Sequence, residues 1–341
     1  MKLIKTEDAV GHVLCHDITQ IIRGVTKDAV FRKGHIITEE DIPILLSVGK
    51  DNIYVWEKDE NMLHEDEAAE ILRAICQSEN MHATAPKEGK IELIADMDGL
   101  LLIDLERLQA INALGDMMIA TRPSGFMVHK GDKLCGTRVI PLVIAKERMA
   151  QAKKLAGSAP ILCLLPARPR KYGLVTTGNE VFYGRIQDTF TPIVEAKLAE
   201  FGCEMAEHVI VNDDHEKITA AIKAMLDHGC EMVFCSGGMS VDPDDKTPLA
   251  IRNTGAKVVS YGAPVLPGAM FLVSYCPDGR PICGLPGCVM YAKRTIFDLV
   301  LPYLVTDTPI TAAWLSRLGN GGLCLNCPQC HFPNCGFGKG V

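Results

Sequence analysis

The chain has little positive charge to spare, and no apolar run long enough to cross a bilayer. Its 35 Lys and Arg are outnumbered by 42 Asp and Glu, for a formal net charge of −7. Without a basic excess no face offsets phosphate repulsion, which excludes a general nucleic-acid binder. The most apolar stretch, residues 289–304, is broken by Lys293, Arg294 and Asp298 and reads as an amphipathic helix. No charged-then-apolar leader opens the sequence, so a cytoplasmic protein is expected. At 341 residues the chain exceeds what one core usually organises, and two or three domains are expected.

The 14 cysteines fall into two groups. Most, such as Cys76, Cys163, Cys203 and Cys230, are scattered through predicted strands and helices and read as small buried hydrophobes of a reducing compartment. Cys324, Cys327, Cys330 and Cys335 are bunched near the C-terminus.

The chain is organised around Cys235-Ser236-Gly237-Gly238-Met239-Ser240 and the acids that follow, Asp242, Asp244 and Asp245. Met232–Cys235 predicts a buried strand. The two glycines let the backbone approach a ligand with no Cβ in the way. Thr247-Pro248 reads as an N-cap and first helical residue. Strand, glycine turn and helix N-terminus together make an anion site, and clustered aspartates beside it suit a hard cation such as Mg²⁺ held between them and a phosphate. The competing reading is a polar surface turn with solvated acids.

From the N-terminus, residues 1–58 read as a small α+β unit: Thr38-Glu39-Glu40-Asp41 predicts a capping box, a helix through Leu45 to Gly49, and a strand over Asn52–Trp56. Residues 59–165 read as a strand-rich α+β domain. His64 starts a helix there as a solvated residue, and Asp98-Gly99 predicts a hairpin between Ile91–Ala95 and Leu100–Ile103. The run Pro166–Lys171 reads as a hinge. From residue 172 to 306 strands and helices alternate, which predicts a doubly wound, mostly parallel α/β domain. Three glycine-bearing turns, at Gly178, at Gly237-Gly238 and at Gly287, fall at predicted strand ends. Ligands of such sheets lie there, so one open site lined by all three is expected.

The pieces Thr177-Gly178-Asn179-Glu180-Val181, Gly184-Arg185-Ile186-Gln187-Asp188, Ser236-Gly237-Gly238-Met239-Ser240, Asp245-Lys246-Thr247-Pro248, Pro267-Gly268 and Leu285-Pro286-Gly287 resemble, in order and spacing, the molybdopterin-binding domain of molybdenum-cofactor biosynthesis proteins. Such domains adenylylate molybdopterin with Mg-ATP or insert molybdate into the adenylylated pterin. The resemblance implies that Asp188 and Asp245 are the acids at the chemistry, and that the glycine loops hold pterin phosphate or nucleotide. In that frame Asp188, Asp245 and Asp242 are candidates to hold Mg²⁺, and Glu180 to hydrogen-bond a pterin or ribose edge. Lys246 and Arg185 are candidates to offset phosphate charge. The competing reading of Asp188 is a helix N-cap, and that of Glu180 a solvated turn residue. Where the family has Asn or Ser and then Pro, this chain has Cys288-Val289, and its first half lacks the insertion enzyme's early signature. The whole resembles stand-alone molybdopterin-binding proteins that accompany molybdenum hydroxylases. Three functions remain open: transfer on molybdopterin, non-catalytic carriage of the cofactor to an apo-molybdoenzyme, and nucleotide pyrophosphate hydrolysis. Related domains self-associate, so a homo-oligomer is expected.

Residues 307–341 read as a Gly-rich linker and a cysteine-rich tail. The run C-x-x-C-x-x-C, a fourth cysteine and His331 suit either an iron–sulfur cluster such as 4Fe–4S or tetrahedral Zn²⁺. A metal-free tail with reactive thiols is the third reading. The tail is too short and glycine-rich to fold alone, so metal is expected to order it.

Overall fold

The computed structural model describes residues 1–22, 25–55, 60–240, 242 and 245–340. Trp56, expected to end a strand, and Asp244 lie outside the described residues. The chain forms two compact units, each discontinuous in sequence: Met1–Asp96, Ile103–Arg122 and Gly131–Cys163 make one; Met97–Leu102, Pro123–Lys130 and Leu164–Val341 make the other.

In the first unit, Lys2–Lys5 pairs antiparallel with Asn52–Val55 and Ile18–Ile22 with Thr26–Phe31. Leu14, Ile18, Ile37, Leu45, Ile53 and Val55 form their core. The helix Asp41–Ser47 starts two residues later than expected, behind Glu40 without a side-chain cap bond, and only one half of the box forms: Asp41 accepts from the Thr38 N–H and hydroxyl at 2.8 and 2.9 Å. A second sheet orders Met81–Ala83, Lys90–Ala95, Lys133–Val139 and Met117–Thr121 antiparallel. His64 corrects its expectation. It caps the helix Glu65–Cys76 in a full capping box but is buried, at 3% exposure. Lys33 Nζ lies 3.0 Å from its Nδ1, and its Nε2 lies 2.8 Å from the Cys15 carbonyl oxygen.

The expected hairpin at Asp98-Gly99 does not form. Lys90–Ala95 belongs to the sheet just described, whereas Gly99 to Leu101 pair with Val128 to Phe126 in the second unit. The glycine serves close packing rather than a turn, since a Cβ on Gly99 would stand 2.5 Å from the Leu165 carbonyl oxygen. Asp98 accepts instead from the Lys130 N–H at 2.8 Å.

The second unit is built on six strands: β1 (Lys171–Thr177), β2 (Glu204–Val211), β3 (Met232–Ser236), β4 (Lys257–Tyr261), β5 (Leu272–Tyr275) and β6 (Pro281–Leu285). Their order across the sheet is β2-β1-β3-β6-β5-β4. The first four are mutually parallel; β5 and β4 add an antiparallel edge. Alternate residues of each strand face opposite layers. Tyr172, Leu174, Phe234 and Cys283 pack against α1 (Thr191–Ala199) and Ile296–Val305 on one face. Val175, Val233, Cys235 and Ile282 pack against α2 (His215–Asp227) and α3 (Thr247–Asn253) on the other. With both faces covered, these strands read as continuous apolar runs. The architecture is the doubly wound, mostly parallel α/β sheet expected of this half.

The segment expected as one amphipathic helix is split. Gly287–Met290 is a 3₁₀ turn, and α4 (Ile296–Val305) starts afresh behind the N-cap Thr295. Every residue of α4 is buried. Its one acid, Asp298, accepts from Lys197 Nζ at 2.5 Å and from Arg294 at 2.8 Å, so its charge is buried but paired. After it, α5 (Ala312–Arg317) occupies part of the stretch expected as linker.

Candidate functional site

In the register of the central strands, Thr176 of β1 stands beside Ser236 of β3, and Ser236 beside Leu285 of β6. The bends that follow, at Gly178, Gly237-Gly238 and Pro286-Gly287, therefore leave the carboxyl ends of three adjacent parallel strands. The chain passes from β1 to β2 on one side and returns to β3 on the other. The switch in strand order lies between β1 and β3, where α/β sheets open a crevice.

The Gly237-Gly238 bend is set by φ values of 87° and 58°, in the left-handed region. A Cβ on Gly237 would run into the Thr177 carbonyl oxygen and stand 2.8 Å from its Oγ1. Thr247 corrects its expected role. The cap position of α3 is Lys246, without a side-chain bond. The Thr247 hydroxyl, fully buried, donates to the Gly237 carbonyl at 2.9 Å and lies 3.3 Å from Thr177 Oγ1. It ties the glycine bend to the end of β1. The loop is clamped further on: Asp245 Oδ2 accepts from the Ser240 N–H at 2.8 Å, the Asp245 N–H donates to the Asp242 carbonyl at 3.0 Å, and the Tyr261 hydroxyl donates to the Met239 carbonyl at 3.0 Å. Asp242 is exposed, and Lys246 is half-buried.

Gly178 is buried at φ 137°, and the exposed Glu180 folds back so that a Cβ on Gly178 would lie 2.8 Å from its Oε1. Asn179–Phe182 is a short helix rather than a turn, and the Asn179 N–H donates to Asp213 at 2.9 Å. Pro286 is buried; Gly287 is exposed with open space where a Cβ would go. At Pro267-Gly268 the Ile296 N–H donates to the Pro267 carbonyl at 3.2 Å, and a Cβ on Gly268 would collide with Ile296. This pair seats the start of α4.

Asp188 stands in a network of its own. Its Oδ1 accepts from the backbone N–H groups of Phe190 and Thr191 at 2.9 and 3.0 Å, and its Oδ2 from the hydroxyls of Thr191 and Thr176 at 2.5 and 3.2 Å. Burial of the carboxyl works against ionisation, but these four bonds outweigh it and hold the group below the ordinary carboxylate range. His208 Nε2 lies 3.0 Å from Thr176 Oγ1 and 3.6 Å from Asp188 Oδ2. Four accepted bonds use the lone-pair directions of both oxygens, so Asp188 holds the entry to α1. Sequence reading missed Thr176, Thr191 and His208, because only the parallel pairing of β1 with β2 brings His208 to this end.

Among the described residues no three His, Cys, Asp or Glu side chains converge on a point where one ion would sit. The expected Asp188, Asp242 and Asp245 cage is thus not present. The tail packs on the α/β unit, with Phe337 at 4% exposure in the core beside Phe332 and α4.

Residues 173–306 match the family described as "Probable molybdopterin binding domain". Residues 3–57 match a domain of unknown function. The molybdopterin molybdenumtransferase of Synechococcus elongatus is 25% identical over 195 residues, 54% of this chain and 46% of that protein. A CinA-like protein of Mycobacterium avium is 37% identical over 88 residues, 26% of this chain and 20% of that protein. The chain spans less than half the length of either relative. Among solved structures, the molybdopterin biosynthesis enzyme MoaB of Thermus thermophilus is 22% identical and covers 42% of this chain and 98% of its own, with a TM-score of 0.34. The matched segment thus spans the six strands, apart from the first two residues of β1, with the three glycine bends, Asp188 and Asp245. Among the described residues no helix is long and apolar enough to cross a membrane.

Proposed function

We propose that the α/β unit binds molybdopterin by its phosphate at the carboxyl ends of β1, β3 and β6 and serves a transfer step there, either adenylylation with Mg-ATP or molybdate insertion into the adenylylated pterin. The observation that supports this most directly is the Gly237-Gly238 bend, held open-backed against Thr177 by the buried Thr247 hydroxyl. Residues fixed in this way keep backbone donors in place before the anion arrives, which is how a preorganised site stabilises charge. In this reading Thr177, Gly178, Ser236, Gly237, Gly238 and Ser240 line the phosphate crevice. Lys246 supplies countercharge, and Glu180 meets the pterin or a ribose edge. Leu285-Pro286-Gly287 closes the third side. Asp245, with Asp242 beside it, would hold Mg²⁺, which when bound neutralises phosphoryl oxygens. Asp188 acts one step removed, by fixing the loop before α1.

A second reading, a carrier that delivers cofactor to an apo-molybdoenzyme, is favoured by the saturation of Asp188 and the missing three-carboxylate cage. In either reading the tail thiols are ligands of an iron–sulfur cluster or zinc, and the chain works in the cytoplasm as a homo-oligomer. The test is titration of the full chain with molybdopterin, then with Mg-ATP and molybdate. Binding with turnover supports the transferase, and binding without turnover the carrier. Absence of binding, with hydrolysis of ADP-ribose-like compounds, overturns both and points to a nucleotide pyrophosphatase.

A further inference from the structure

The tail is seated on the α/β unit by backbone pairing, by glycine packing and by aromatic rings. The Leu266 N–H donates to the Gly322 carbonyl and the Cys324 N–H to the Leu266 carbonyl, each at 2.8 Å, so Leu323 adds a parallel bridge beside Leu266. A Cβ on Gly338 would stand 2.5 Å from Leu299 Cδ2. Phe332 lies between the rings of Phe126 and Phe337, at centroid distances of 6.0 and 6.1 Å. The seat leaves a cavity of about 270 Å³. All four cysteines of the run, Cys324, Cys327, Cys330 and Cys335, line that one cavity, together with Lys293 and Arg294.

We propose that this cavity is the site of a 4Fe–4S-type iron–sulfur cluster held by the four thiolates. The inference deepens the reading of the tail as a metal site and is independent of molybdopterin binding. Geometry decides between its two metals. A tetrahedral zinc at about 2.3 Å from each ligand draws its sulfurs to within about 3.8 Å of one another. The four cysteines line one cavity of about 270 Å³, which is room for more than a single ion. Thiolates that each hold a different iron stand farther apart, around a body with volume of its own, and short C-x-x-C steps are a known way to arrange them. The surroundings suit an anionic cluster. The Arg294 guanidinium lies 4.9 Å over the Phe332 ring, while Lys293 Nζ donates to the Pro328 carbonyl at 2.8 Å. Two cations thus stand at the cavity wall, where they offset a cluster's negative charge. Cys327 and Cys330 are exposed and Cys324 and Cys335 half-buried, so iron and sulfide have an entry route.

The experiment uses the full chain purified without oxygen and, separately, the metal-stripped chain given equal ferrous and ferric iron with sulfide. Iron and acid-labile sulfide are counted, and the visible sulfur-to-iron absorption is followed on reduction with dithionite. The expected result is about four irons and four sulfides per chain, with an absorption that bleaches. Cys327→Ser and Cys330→Ser should each lose more than half of the iron while keeping the wild-type far-UV circular dichroism. Cys163→Ser, an exposed cysteine in the other unit, should keep all of it. One zinc per chain without labile sulfide overturns the cluster and leaves a mononuclear centre. An intact tail, verified by mass, that takes up neither metal overturns the metal reading altogether. A chain that holds the cluster but no molybdopterin leaves this proposal standing and removes the phosphate-site reading.

Discussion

Replacing Gly237 by Ala separates two costs that are usually confounded. The first is backbone: at φ 87° an L-residue sits in the left-handed region, at about 1–2 kcal/mol. The second is steric. The added Cβ meets the Thr177 carbonyl oxygen and stands 2.8 Å from Thr177 Oγ1 and 3.0 Å from its carbonyl carbon, so the bend or the end of β1 must retreat by about 1 Å. Overpacking of that kind adds about 1–3 kcal/mol. Gly229 is the control, since its φ of 95° carries the same backbone cost and a Cβ there meets nothing within 4 Å. In thermal unfolding Gly229→Ala should lower the midpoint of the α/β unit by a few degrees, and Gly237→Ala by about 10 °C. Titrated with molybdopterin, Gly229→Ala should bind as the wild type does and Gly237→Ala at least about tenfold more weakly, because the displaced atoms are those of the crevice. If both variants melt together and Gly237→Ala keeps wild-type affinity, the bend is not pressed against Thr177 and is not the phosphate seat.

Asp188→Ala removes a carboxylate that accepts two backbone and two hydroxyl donors, and should cost about 2–3 kcal/mol in urea unfolding, against about 1 kcal/mol for Asp188→Asn, which keeps an acceptor for the N–H groups. Unchanged midpoints with lost turnover would instead make Asp188 a residue of the chemistry. Burial, and next the neighbouring Asp66, push the Glu65 carboxyl from 4.5 to about 7 in the first unit. A carboxyl with a raised folded value is held protonated, so its share of stability is whole below about pH 4.5 and is lost as pH rises through about 7, by about 3 kcal/mol. Glu65→Gln should flatten that slope in unfolding curves taken from pH 4 to 8; a curve parallel to the wild type would show that Glu65 titrates normally.

Much of the α/β unit was legible because its signals are local. Apolar runs such as Met232–Cys235 mark buried strands. Asp214 caps α2 by accepting from Glu216 at 2.9 Å, as its place before the apolar periodicity predicts. The three glycine bends announced themselves by composition, and parallel strands with helical crossovers leave few ways to order them. The strand-rich half was less legible. Asp98-Gly99 has the composition of a hairpin turn, yet Gly99 is there for the Leu165 carbonyl that passes beside it. His64 looks solvated in sequence, and only the tertiary fold brings Lys33 and the Cys15 carbonyl to its two ring nitrogens.

By itself, then, the sequence determined the alternation of strand and helix, the glycine bends at strand ends, and a thiol spacing that metal can use. These follow from residues a few positions apart, whose backbone preferences and periodicity act before any packing. Tertiary structure alone decided that Thr176 adds its hydroxyl to Asp188, that Thr247 reaches back to Gly237 instead of capping its helix, and that the glycine-rich tail docks through Phe337 and Gly338. Each of these depends on partners ten or more residues away. Which hydrogen bond or contact a side chain makes is settled by the register and packing that deliver the partner.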